Sequence, residues 1–97
     1  MNPSYDALKV PPGANDNGGI EVLRAGVVDG ALHVTLRRAF NDPQAWGILL
    51  ADVARQVARV YAQEGGDSED QVSERIRDAF SAEMDAPANS GTINPIA

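Results

Sequence analysis

The sequence has no cysteine, a single histidine, five aromatic residues and a deficit of positive charge. Without cysteine there are no disulfides, no thiolate metal sites and no cysteine nucleophile. One imidazole cannot form a histidine cluster around a metal, so the residues imply no cofactor. Fourteen Asp and Glu against eight Lys and Arg give a net charge of −6. Binding to nucleic acid rests on a Lys/Arg surplus that neutralises phosphates, so nucleic acid is not an expected partner. Long hydrophobic runs are also missing. Runs such as Trp46 to Ala51 fall far short of the roughly 20 residues that span a bilayer, and no membrane partner is expected. The first residues show neither a basic n-region nor an apolar h-region, which makes the cytoplasm the expected location.

What remains is a chain of 97 residues that is 43% hydrophobic, enough for one small domain and too apolar for a disordered acidic tail. Pro3, Pro11, Pro12, Gly13, Gly18 and Gly19 break up residues 1–19, which read as a flexible N-terminal arm. Within it, Leu8 and Val10 suit a short extended contact. Pro87, Gly91 and Pro95 mark 87–97 as a flexible C-terminal tail. The fold is left to residues 20–86.

Two β-rich runs flank Asp29-Gly30, the signature of a two-residue hairpin turn whose central residues both need positive φ. That turn sets the register. Val28 then pairs with Ala31, Val27 with Leu32, Ala25 with Val34, Leu23 with Leu36, and Glu21 with Arg38. One face becomes Leu23, Ala25, Val27, Leu32, Val34 and Leu36, wholly apolar, closed by the Glu21–Arg38 charge pair. The other face is mixed: Ile20, Val22, Arg24, Gly26 and Val28 against Ala31, His33, Thr35, Arg37 and Ala39. Its branched aliphatics suit either a half-exposed strand surface or a covered face or dimer contact.

Asp42-Pro43 opens a first helix, with Asp42 as N-cap and Pro43 at the first helical position. Trp46, Leu49, Leu50, Val53, Val57, Val60 and Tyr61 recur at three- and four-residue spacing. Gly47, Ala51, Ala54 and Ala58 form a flanking stripe of small residues that admits close approach of another backbone. Gly65-Gly66 ends the helix, one of them as a left-handed cap. Ser68-Glu69-Asp70-Gln71 is a capping box that opens a second helix, with Val72, Ile76, Ala79, Phe80 and Met84 along its apolar stripe. The short connection forces an antiparallel helical hairpin. The expected fold is therefore α+β: a β-hairpin followed by an antiparallel helical hairpin (ββαα), in two layers.

The runs Ile20-Glu21-Val22-Leu23-Arg24-Ala25, Val28-Asp29-Gly30-Ala31-Leu32-His33-Val34 and Trp46-Gly47-Ile48-Leu49-Leu50-Ala51-Asp52 carry a family likeness, with Val10-Pro11-Pro12 and Tyr61-Ala62. Over about residues 8–86 the chain resembles a family of small, uncharacterised, mostly alphaproteobacterial proteins described as a domain of unknown function. The resemblance implies a short, soluble bacterial α+β protein. It implies no reaction, ligand or site residue.

No constellation points to catalysis. His33 lies opposite Gly26 with no group beside it to serve as an oxyanion site. Gly26 leaves room there for a partner's side chain. Asp67, Glu69 and Asp70 match a helix start and lack the alternating oxygens of a calcium loop. Arg24 and Arg37 share the mixed face and could hold an anion, or serve as edge charges that discourage strand pairing. Trp46 is expected to pack on Phe40 next to the helix cap. Charge is polarised: residues 67–86 hold seven acids and two arginines, a net −5, whereas residues 20–40 are net +1.

About 67 folding residues and a two-stranded sheet with two open edges make a marginal domain. The expected remedy is a homodimer, formed through the hairpin edge, its mixed face or the small-residue stripe of the first helix. Candidate contact residues are Val22, Arg24, Val28, His33 and Arg37. The function expected is a non-catalytic dimeric adaptor whose acidic second helix meets a basic protein. The alternative is a small-molecule or anion-binding protein using the mixed face of the hairpin.

Overall fold

The structure, a computed structural model, describes residues 4–86. The expected tail at 87–97 and residues 1–3 lie outside the described residues. The elements run α1 (Ala14–Asn17), β1 (Leu23–Val28), β2 (Ala31–Leu36), α2 (Gln44–Glu64) and α3 (Glu69–Asp85). The fold is α+β, an antiparallel hairpin followed by two helices, as the sequence predicts.

The hairpin forms because Asp29 and Gly30 both adopt positive φ, 52° and 79°. That twist matches the flanking strands. The register is the expected one, with Leu23 opposite Leu36, Ala25 opposite Val34, and Val27 opposite Leu32. The Arg37 N–H donates to the Val22 carbonyl at 3.1 Å, carrying the pairing one step beyond the strands. Glu21 lies outside this ladder. Its carboxylate turns to Arg24 instead of the expected Arg38, accepting from Nε and Nη2 at 3.0 and 3.1 Å. A flanking residue not held by strand pairing is free to choose its nearest cation.

The first long helix starts one residue later than expected, with Pro43 at the cap position and Gln44 first in α2, but the Asp42 carboxylate still accepts from the Gln44 N–H at 2.9 Å. The other end differs from expectation. Gly65 sits at φ 100°, ψ 162°, so it is not a left-handed cap. It occupies an extended, positive-φ region open essentially to glycine alone and turns the chain toward α3. The capping box of α3 is complete: the Ser68 hydroxyl accepts from the Gln71 N–H at 3.1 Å, and the Gln71 side chain accepts from the Ser68 N–H at 2.8 Å. Arg59–Glu69 and Arg75–Asp67 add exposed ion pairs around the turn, at 3.4 and 3.7 Å. Exposed pairs of this kind contribute little.

The packing is sparse. The helices pack on each other and the strands pair with each other, but no strand Cα comes within 8 Å of a helix Cα. Ala58 and Val72 are the buried apolar residues among those described.

The elbow between β2 and α2 holds this open arrangement. Trp46 packs edge-on against Phe40, with ring centroids 5.5 Å apart. Its indole N–H donates to the Arg38 carbonyl at 3.0 Å. The Phe40 N–H reaches the same carbonyl at 2.6 Å, closing a tight turn over Ala39 at φ 60°. An L residue in that region costs roughly 1–2 kcal/mol.

Two stability changes are expected in denaturant titrations. Ser68→Ala should lower stability by about 1 kcal/mol through loss of the cap. Ala39→Gly should raise it by roughly 0.5–1 kcal/mol, because relief of the positive φ outweighs the added freedom of the unfolded chain.

Candidate functional site

Strand alternation brings all five candidate residues to one face of the hairpin: Val22, Arg24 and Val28 on one side, His33 and Arg37 on the other. Val22 is half-buried, and the other four are exposed. The space expected opposite His33 is filled from within the chain. A Cβ built on Gly26 would lie 2.6 Å from the Tyr5 hydroxyl oxygen and 2.7 Å from Tyr5 Cε1. The Tyr5 hydroxyl donates to the Ala25 carbonyl at 3.4 Å, and the Arg24 guanidinium stands 6.0 Å from the Tyr5 ring centroid. Glycine is needed here for close approach of an aromatic ring.

The N-terminal segment therefore lies beside β1, and residues 14–17 within it form one helical turn. Between this segment and β1 runs an open groove of about 1160 Å³. Leu8, expected to make an extended contact, is 94% exposed. Arg24 is engaged by both oxygens of Glu21, so its fork is filled from within the chain. No polar or charged side chain among the described residues is buried. Nor do three His, Asp or Glu residues gather there in a metal-binding group. No described helix is long and apolar enough to cross a membrane.

The apolar surface lies elsewhere. On the other hairpin face Leu23 and Leu32 are half-buried, while Ala25, Val27, Val34 and Leu36 are exposed. On α2 the helices meet along the small-residue side. Ala58 is completely buried, and Ala54 and Ala62 are half-buried. The second half of the stripe that sequence reasoning left open for a dimer contact, Ala54 and Ala58, is occupied by α3, while Gly47 and Ala51 stay exposed. The large-residue stripe, about a quarter turn or more around α2, stays uncovered: Leu50, Val53, Val57, Val60 and Tyr61 are all exposed. Further along α3, Phe80 and Met84 are exposed as well.

Sequence reasoning missed α2's large-residue stripe as a surface because periodicity marks an apolar face without saying what covers it. A signal was present. One helix carries two apolar stripes, small and large, and α3 alone can cover only one.

Gly26→Ala is expected to displace Tyr5 and leave the hairpin intact. Limited proteolysis should then cut within residues 4–12 several-fold faster, with hydrogen exchange in β1 and β2 unchanged.

Comparisons with known proteins fit this fold. A family model, the domain of unknown function DUF5076, matches residues 7–88. A solved structure described as a "putative pyruvate dehydrogenase from the photosynthetic bacterium Rhodopseudomonas palustrus CGA009" is 41% identical, with a TM-score of 0.77. The match covers 97% of this chain and 98% of that one. No curated protein matches the chain. The likeness expected from the hairpin and first-helix residues thus has a specific counterpart, and the chain belongs to the DUF5076 family.

Proposed function

We propose that the chain is a non-catalytic interaction module that works as a homodimer. The observation that carries this reading is the missing core. Two apolar residues are buried among those described, while an apolar hairpin face and an apolar helix stripe are open to solvent. A standard dimer interface takes ~800 Å² from each partner. Exposed apolar surface gathered on one hairpin face and one helix stripe suits association.

The acidic α3 suits a basic protein as the further partner. Glu69 and Asp70 lie at its positive dipole end, and acidic residues recur along it. Added salt should weaken such a complex.

The enzymatic description of the Rhodopseudomonas structure finds no built site among the described residues of this chain. The groove along β1 is open, and none of the polar groups lining it is buried. Nor is Arg24 positioned as a free anion ligand, because Glu21 fills its fork.

The melting temperature should rise with protein concentration, as linkage to association requires. Val57→Asp places a charge on the exposed stripe of α2 and should abolish that rise. A melting temperature of the native chain that stays constant on dilution through the micromolar range would contradict the dimer.

A further inference from the structure

Resting on the dimer reading, we propose how the two copies meet: the apolar hairpin face of each lies across the large-residue stripe of the other's α2. The exchange is reciprocal, as a two-fold axis demands.

Four observations point to this arrangement. First, both surfaces are bare in one chain, and the elbow holds them apart, with no strand Cα within 8 Å of α2. Trp46 bonds the Arg38 carbonyl and meets Phe40 edge-on, and these two contacts hold the turn between the hairpin and α2. Second, the surfaces match in extent. Leu23 to Val27 spans about 14 Å of strand, and Leu50 to Tyr61 spans about 16 Å of helix. Neither Leu50, Val53, Val57, Val60 nor Tyr61 carries a charge, and all five are exposed.

Third, the charges favour the pairing. The hairpin segment, residues 20–40, is net +1, and residues 67–86 are net −5. Since α3 packs on α2, a hairpin reaching the second copy's α2 brings this net positive segment toward the acidic helix, with Arg38 at the end of the docking face and Arg24 and Arg37 on the face turned away. Fourth, the open arrangement recurs. Helices α2 and α3 hold 21 and 17 of the 97 residues. They cannot by themselves account for a TM-score of 0.77 over 97% of the chain.

The two other surfaces of the hairpin and helix pair are partly occupied: Tyr5 sits on the mixed face at Gly26, and α3 covers the small-residue stripe at Ala54 and Ala58. Edge-to-edge pairing of two hairpins would leave the apolar face bare.

Disulfide trapping tests the arrangement cleanly, because the chain has no cysteine of its own. Chains carrying Ala25→Cys and chains carrying Val57→Cys are mixed and oxidised. The expected product is a 25–57 disulfide at twice the 10.3 kDa chain mass, identified by peptide mapping. Val34→Cys with Val53→Cys repeats the test, should either first variant fail to fold. Dominant 25–25 or 57–57 products would overturn the exchange while leaving a dimer standing. So would a dimer mass with no disulfide at either pair. A doubly substituted Ala25→Cys/Val57→Cys chain that closes on itself at the mass of one chain would also overturn it. A native chain that is monomeric throughout would overturn the dimer reading itself, and this inference with it.

Discussion

The contact of Trp46 with the β2–α2 elbow governs how the chain presents itself. The indole donates to the Arg38 carbonyl and its ring meets Phe40 edge-on, while Ala39 is held at positive φ in the turn between them. A hydrogen bond, an aromatic pair and a strained turn together set the direction of the hairpin relative to α2. Each half of the molecule is locally well specified. The hairpin has its two-residue turn and the helical pair has its capping box. The two halves do not pack on each other, so the burial that normally joins the layers of an α+β domain is missing among the described residues.

That constraint reverses the roles of the two hairpin faces. The mixed face, which looked like the sticky one, receives Tyr5 from the chain's own N-terminal segment. The purely apolar face, which looked like the interior, stays open. On α2 the same exchange occurs between stripes. The alanines take α3, because small side chains let two helix backbones approach closely, and the larger aliphatics are left outward. No polar or charged side chain is buried beside these surfaces among the described residues.

Local structure was legible because it is written in short-range chemistry. Asp29-Gly30 dictates a turn, the turn dictates a register, and each cross-strand pair from Leu23–Leu36 to Val28–Ala31 follows. Asp42 and Ser68 announce helix starts because their side chains can satisfy free backbone N–H groups. The assembly of these pieces was not legible. Apolar periodicity says that Val53, Val57 and Val60 share a face, and nothing in it distinguishes an intrachain cover from an intermolecular one. The Glu21–Arg38 pair failed for a related reason: cross-strand logic was carried past the last residue that the strands hold. Tyr5 over Gly26 was out of reach because its recognition depends on 20 residues of intervening chain and on no local pattern.

The central claim is that one chain is an incomplete unit and a second copy completes it. Light scattering of the native chain, taken across a dilution series in the micromolar range, tests that directly. The account predicts a mass twice that of the 10.3 kDa chain at the upper end, falling toward one chain as the protein is diluted. A mass of one chain at every concentration would contradict it.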